Sequence, residues 1–342
     1  MSNKKLAIVI LNWNTQSLLE KFLPKVIENS DDNRAFIVVA DNNSTDNSID
    51  WIKQNHPTIK IIELDKNYGF AEGYNRALSQ LNCEYVTLLN SDAVPEKGWI
   101  SPLLEHLDNY PKTAAVVPKI KDYNNPEYFE YAGAAGGFID RWGFPFCRGR
   151  IFDTIEKDEN QYDDETFIFW GSGAALTVRR ALFLESGGLD PDFFAHMEEI
   201  DWCWRIQNFG YSIKYIPQST VYHVGGGTLD YLNERKTFLN FRNNLFLLLK
   251  NVNGAKVYPL LFVRMIIDFV ALLNFLRLKQ SKNSLAIHKA HVDFFKMFSL
   301  FNRKRKELKK KRVLSNNSLI YKGSIVWDYN VRGRKNFSDL GL

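Results

Sequence analysis

Leu6-Ala7-Ile8-Val9-Ile10-Leu11 is an almost unbroken apolar run, the pattern of a strand covered on both faces and therefore of a central strand in a parallel sheet. Outward from it, Leu18, Leu19, Phe22, Leu23, Val26 and Ile27 recur at helical spacing, and Phe36-Ile37-Val38-Val39-Ala40 gives a second strand, completing a βαβ unit. Ile49 and Ile52 mark a short helix, residues 59–64 a strand, residues 70–81 a helix and Tyr85 to Leu89 another buried strand. This alternation predicts an α/β fold built on a doubly wound, mostly parallel, Rossmann-like sheet. Residues 121–168 show no period and read as loops. Helices near 179–186 and 198–209 and short strands over 212–216 and 220–223 follow.

In such sheets ligands bind beyond the carboxyl ends of the strands. The residues there are polar in every case: Asn12 and Asn14 after the first strand, Asp41-Asn42-Asn43-Ser44-Thr45-Asp46 after the second, Asn67-Tyr68-Gly69 after the third and Asn90-Ser91-Asp92 after the fourth. Four strands thus point at one crevice. The first turn, Asn12-Trp13-Asn14-Thr15, contains no glycine, which excludes the G-x-G-x-x-G dinucleotide site of a dehydrogenase.

The 342 residues, 45% apolar, suffice for one large domain and an appendage. Three widely separated cysteines, Cys83, Cys147 and Cys203, suggest neither a disulfide framework nor a zinc site and fit a reducing cytosol. The N-terminal residues lead directly into the first strand, which predicts a chain without a secretory leader. The net charge of +5 hides a strong polarity. Residues 250–342 carry 20 Lys and Arg against 5 Asp and Glu, leaving 24 against 34 for residues 1–249. An acidic half suits a site that recruits a cation, and a basic tail suits an anionic surface.

Asp41 ends a buried strand, where a carboxylate can accept the N3–H of uracil or thymine. Asp46, or Ser44 before it, reads as a cap of the next helix. Further along stand Trp170-Gly171-Ser172-Gly173-Ala174, then Glu198-Glu199-Ile200-Asp201, then His223 before Gly225-Gly226-Gly227. In this order the motifs resemble those of glycosyltransferase family 2, the inverting GT-A fold enzymes, and within it the rhamnosyltransferase-like branch; the likeness covers roughly residues 6–245.

The resemblance implies roles for particular residues. Asp41 recognises the pyrimidine, with Asn12 and Asn14 beside it. Asn67, Gly69 and Asn75 border the donor pocket, where Gly69 serves a positive φ, a close approach, or simply a loop. Trp170, Gly171 and Ser172 face the donor sugar or else pack tightly between strands. Asn90-Ser91-Asp92 stands where the family has D-x-D, so Asp92 becomes the principal ligand of Mn²⁺ or Mg²⁺, with Asn90 replacing an acid and His223 completing the shell. Glu199 matches the general base that takes a proton from the acceptor hydroxyl, with Glu198 as its rival. Asp201 and Arg205, four residues apart, read as an intrahelical ion pair.

Residues 257–278 are nearly long enough to span a bilayer, but Arg264 and Asp268 fall mid-segment. Arg264, Asp268, Asn274 and Arg277 cover about half of the helical circumference, which fits a helix lying in the membrane interface, or one packed in the protein core. With the runs at 303–306 and 309–312, this predicts peripheral binding to an anionic membrane surface at the inner face of the cell membrane. No nucleic-acid module is present. The expected domains are a GT-A unit over 1–250 and a helical, basic, membrane-associating extension over 251–342. The expected activity is inverting, metal-dependent transfer from a UDP- or dTDP-sugar to a hydroxyl of a glycan or lipid-linked glycan. The alternative, motivated by Asn90, is a catalytically weak relative serving as a membrane-bound assembly or binding subunit.

Overall fold

The structure is a computed structural model that describes residues 4–225, 234–314 and 317–342; Gly226 and Gly227 of the glycine run lie outside the described residues. Strands and helices first alternate: β1 (Leu6–Asn12), α1 (Gln16–Asn29), β2 (Ala35–Asp41), α2 (Ser48–Asn55), β3 (Lys60–Glu63), α3 (Gly69–Ser79) and β4 (Tyr85–Leu89). Then come β5 (Ala93–Pro95), α4 (Ile100–Asn109), β6 (Thr113–Asp122) and five short strands, β7 (Gly137–Asp140), β8 (Pro145–Cys147), β9 (Arg150–Ile151), β10 (Thr154–Ile155) and β11 (Thr166–Phe167). β12 (Ala175–Arg179), α5 (Arg180–Glu185), α6 (Glu198–Asn208) and β13 (Ser212–His223) follow. The chain closes with α7 (Glu234–Asn251), α8 (Val257–Arg277), α9 (Ser281–Lys311), β14 (Ile320–Tyr321) and α10 (Ile325–Asn330).

β1 is buried along its length and faces two cores, as its continuous apolar run requires. Leu6, Ile8 and Ile10 join Leu19, Leu23 and Val26 of α1 and Leu103, Leu104 and Leu107 of α4. Ala7 and Val9 point the other way, into the cluster that holds Tyr74, Ala77 and Leu78 of α3. The main sheet runs β11-β13-β6-β12-β4-β1-β2-β3, with β5 beside β13. β1 pairs in parallel with both β2 and β4, so the strand order turns back there and a crevice opens beyond Asn12 and Leu89. The far half is mixed, because β12 runs antiparallel to both β4 and β6.

Two expectations require correction. Residues 121–168 are not loops: they supply the end of β6, β11 and four of the five strands in a second sheet, β10-β9-β8-β7-β14. The two strands expected over 212–223 are one strand, β13, with a register break between Ile216 and Thr220. The boundary expected after residue 250 falls at the end of α7 (Glu234–Asn251). A single apolar cluster crosses it, joining Phe193 and Phe246 to Phe294, Phe301, Phe337 and Leu340. β14 pairs with β7, and Asp140 accepts a hydrogen bond from Ile325 N at 2.9 Å, so the chain end completes the second sheet.

The rings of Phe246 and Phe301 stack with centroids 3.8 Å apart, and Phe301 is fully buried. Phe301→Ala is therefore expected to cost about 3–5 kcal/mol. The whole chain should unfold in one transition in chemical denaturation followed by tryptophan fluorescence; a separate early transition would show an independent C-terminal unit.

Candidate active site

The crevice is organised by short polar side chains on the strand ends. Asn12 Nδ2 donates to Asp41 Oδ1 at 2.8 Å and to Ser44 Oγ at 3.0 Å. Ser44 Oγ donates to Asp41 Oδ1 at 2.6 Å, and Ser44 N donates to Asp41 Oδ2 at 2.9 Å. Asn14, at φ 53, accepts from Thr45 N at 2.7 Å. Asp41 thus fastens the turn after β2 to the turn after β1, and its Oδ2 retains room for one more donor. Asp46 accepts from Gln16 N at 3.0 Å and Ser48 N at 3.1 Å, the first residues of α1 and α2, so it caps two helices at once.

Asn42 is a residue the sequence reading passed over. Buried, it donates to Asn67 Oδ1 and Gly69 O, both at 3.0 Å, and accepts from Tyr68 N at 2.9 Å, fixing the loop that opens α3. Gly69 has φ +74, a conformation that favours glycine, and an added Cβ would lie 3.8 Å from Phe194 O.

Asn90, Asp92 and His223 come together. β5 pairs with the end of β13, which brings His223 Nε2 to 3.1 Å from Asp92 Oδ1 and 3.1 Å from Asn90 Nδ2. Half a turn of the Asn90 amide presents its oxygen to the same spot. On the other side of the imidazole, Nδ1 lies 3.4 Å from Oε1 of Glu130, a buried carboxylate held by Ala132 N at 2.6 Å. This contact gives Nδ1 charge attraction but no well-aligned hydrogen bond. Burial disfavours a charged imidazole, but Asp92 and Glu130 outweigh it and push His223 up to about 10. Burial also raises the Asp92 carboxyl, and His223 outweighs that and holds it below the usual carboxylate range. Gly225, at φ +66, lets the chain pass Glu130: a Cβ there would lie 2.8 Å from Oε1. Nothing in the sequence near Glu130 marks it, since it lies 93 residues before His223.

The acidic segment is strained and strongly held. Phe194, His196 and Met197 all have positive φ, at 68°, 66° and 73°, immediately before α6. Fully buried Asn243 of α7 donates to the carbonyls of Phe193, Ala195 and His196 at 2.8–2.9 Å and fixes that conformation. The result aims Glu198 and Glu199 from the first turn of α6, and one oxygen of each, with His196 Nε2, is buried without a partner. Unsatisfied buried polar atoms of this kind mark where a ligand belongs. Glu198 is the more buried; burial, then the neighbouring Glu199, raises its carboxyl well above the usual range. Burial pushes Glu199, which keeps some exposure, up to about 7. The expected Asp201–Arg205 pair is present at 2.8 Å.

Three expected donor contacts are otherwise engaged. Asn75 donates to Leu189 O at 2.8 Å and accepts from Leu189 N at 2.9 Å, which makes it a strut between α3 and the acidic segment. Trp170 is buried, with its indole N–H on Phe138 O at 2.8 Å, and an added Cβ on Gly171 would come within 2.3 Å of Val117. Both serve packing. Ser172 Oγ accepts from Ala174 N at 3.2 Å, and Ala174 O in turn holds Asn90 N at 3.1 Å.

The site features of this chain are thus polar strand ends, an Asp92–His223 pair, and Glu198 and Glu199 at the start of α6, each with one buried oxygen unpartnered. The chain belongs to Glycosyl transferase family 2, whose model matches residues 7–179. It is 27% identical over 236 residues to the N-acetylglucosaminyl-diphospho-decaprenol L-rhamnosyltransferase of Mycobacterium tuberculosis (strain ATCC 25618 / H37Rv), covering 64% of this chain and 75% of that protein. It is 26% identical over 192 residues to the poly-beta-1,6-N-acetyl-D-glucosamine synthase of Staphylococcus epidermidis, covering 54% and 41%. The fold is similar to the mannosyltransferase PcManGT of Pyrobaculum calidifontis in complex with GDP-Man and Mn²⁺ (TM-score 0.53, 15% identity, 91% of this chain and 86% of that one). It is also similar to GalNAc-T7 with UDP, GalNAc and Mn²⁺ (TM-score 0.53, 17% identity, 69% of this chain), and it spans 48% of that chain's length. These neighbours establish the GT-A fold, and the relatives place the chain among glycosyltransferases.

Because Asn243 satisfies three carbonyls of a strained loop, Asn243→Ala is expected to destabilise the protein by about 1–3 kcal/mol and to lower kcat more than KM. Denaturation and steady-state kinetics check this; unchanged values in both would remove Asn243 from the support of the site.

Proposed function

We propose that this chain transfers a sugar, of which rhamnose is the leading candidate, from a UDP- or dTDP-activated donor to a hydroxyl of a lipid-linked glycan at the inner face of the cell membrane, with inversion. The meeting of Asn90, Asp92 and His223 at the strand ends carries the reading, and the Glu199 carboxylate, with one buried oxygen unpartnered, supports it. The relative named for an L-rhamnosyl transfer to a lipid diphosphate supports the acceptor class.

Asp92 and His223, with the Asn90 amide oxygen, would hold Mn²⁺ or Mg²⁺. The set fits, since a carboxylate oxygen and a borderline imidazole suit Mn²⁺, and few protein ligands leave positions for donor phosphate and water. Among the described residues no cluster of three acidic, histidine or cysteine side chains offers a closed cage. The cation, when bound, neutralises charge on the departing diphosphate. Glu130 orients the imbedded imidazole from behind. Asp41 Oδ2 accepts the imide N–H of the pyrimidine, while Asn12 and Ser44 hold the carboxylate in place. Glu199 takes the proton from the acceptor hydroxyl as that oxygen bonds to the anomeric carbon and the bond to the diphosphate breaks. Glu198, more buried and kept protonated, is poorly suited to this role. A second reading, a binding or assembly subunit with weak catalysis, rests on the amide at Asn90 and predicts donor binding without turnover.

Glu199→Gln is expected to lower transfer by about 10²–10⁴-fold with donor affinity retained. Since the base must be ionised and burial places its carboxyl near 7, wild-type kcat/KM should rise with pH and level off above about 7. Equal losses in Glu198→Gln, or a profile flat below that pH, would move the base elsewhere.

Asp92→Asn leaves two amides and an imidazole, and is expected to reduce Mn²⁺-stimulated transfer about 100-fold or more while the melting temperature changes little. Full metal-stimulated activity would dismiss the ligand assignment.

A further inference from the structure

α8 is built inside out. Two of its charged residues, expected toward water, are buried against the protein: Arg264 pairs with Asp268 at 2.8 Å, also bonds the Asn244 side chain and Trp142 O, and stacks its guanidinium 3.8 Å from the Phe144 ring centroid. Asp268 takes His291 of α9 at 3.1 Å. The opposite face is apolar and open, with Phe262 68%, Phe269 56%, Val270 61% and Ile266 50% exposed. Leu285, Val292 and Phe295 of α9 extend that surface. Of the polar half read from the sequence, Arg264 and Asp268 dock on the protein, as the packed alternative required, while Asn274 and Arg277 at the end of the helix stay exposed. α8 is long and apolar enough to cross a bilayer, but crossing would strip Arg264 and Asp268 of partners fixed on other elements.

At the N-terminal end of this face lies a pocket of about 270 Å³ lined by Tyr258, Asn302, Arg305, Lys306, Lys309 and Arg312, among others, and by no acidic residue. Arg305 bonds Leu249 O at 2.8 Å and Gly254 O at 2.6 Å, and Arg312 bonds Asn251 O at 2.7 Å, so both are fixed to the α7–α8 turn. Lys306 and Lys309 are exposed, and among the described residues neither is in an ion pair with a carboxylate. Tyr258 lines the pocket and also stands one turn before Phe262 on the apolar face.

We infer that the open face of α8 and α9 docks on an anionic phospholipid bilayer, with Phe262, Ile266, Phe269 and Val270 among the acyl chains and a lipid phosphate in the Lys306–Lys309 pocket. Charge complementarity selects this occupant: the charged residues lining the pocket are all cationic, and Lys279, Lys282, Lys289 and Lys296 are exposed on the same helices or the turn between them. The inference deepens the location given above and does not depend on the chemistry at Glu199.

Flotation of the full chain with vesicles of phosphatidylcholine, with and without phosphatidylglycerol, tests it without any activity readout. The wild type should float only with phosphatidylglycerol and detach in alkaline wash. Lys306→Glu with Lys309→Glu should weaken partition by at least about thirtyfold, and Phe269→Glu should weaken it separately; unchanged melting temperatures would show both variants folded. Four results would overturn the inference. Flotation indifferent to both variants would remove the face and the pocket from membrane binding. Loss in the lysine variant alone, with displacement by inorganic phosphate, would show a site for a soluble anion. Absence from vesicles with a dimer by light scattering would assign the face to a second copy. Resistance to alkaline wash would show a spanning helix instead.

Discussion

A largely buried lattice of charges joins the acidic segment to the C-terminal helices, and the geometry of the site depends on it. Lys250 of α7 lies 2.5 Å from Asp190 and 2.7 Å from Asp201, while Lys304 of α9 reaches Asp190 at 2.6 Å and Asp192 at 2.5 Å. Arg205 adds a second cation on Asp201, and Asn251 donates to its other oxygen at 2.8 Å. Three carboxylates thus face three cations. Burial alone would raise the Asp190 carboxyl, but Lys250 and Lys304 outweigh it and hold it far below its ordinary range. Such a lattice adds little net stability against an apolar core of the same volume, and losing one member leaves an uncompensated buried charge. Its contribution is positional: it sets α6, and with it Glu198 and Glu199, at a fixed place relative to α7 and α9.

The consequence is a division of labour within the acidic signature. Asp201, on the inward side of α6, anchors the helix. Glu199, two residues earlier and partly exposed, is left without a cation and can titrate near neutrality. The strained residues 194–197 turn the chain between these roles, and Asn243 keeps the turn from relaxing. The C-terminal helices therefore both extend the core and brace the acid-bearing loop.

What the sequence revealed follows from the range of the interactions involved. β1, β2, β4 and the helices between them are set by local apolar periodicity, and the strand-end polar residues could be read because a parallel sheet fixes where its carboxyl ends point. The second sheet was missed because its strands are two to four residues long, too short to show alternation. Glu130, Asn42 and Asn243 were missed because their partners are distant in sequence and a lone buried carboxylate or amide has no local signature. Asn75, Trp170 and Gly171 read as donor contacts, or for Trp170 and Gly171 as packing, from a familiar order of motifs; only the fold shows Asn75 bracing Leu189, Trp170 bonded to Phe138 O and Gly171 with no room for a Cβ beside Val117. For α8 a helical pattern shows that two faces differ but leaves open which turns inward, and only the tertiary partners Asn244, Trp142 and His291 show that Arg264 and Asp268 do.

The central claim is that Asp92 and His223 form a metal site that receives a pyrimidine nucleotide diphosphate. Anomalous diffraction from crystals grown with Mn²⁺ and UDP tests it most directly. The account predicts one Mn²⁺ peak within bonding distance of Asp92 and His223 Nε2, with the uracil imide on Asp41 Oδ2. Nucleotide bound with the direct Asp92–His223 contact intact and the Mn²⁺ elsewhere would contradict it.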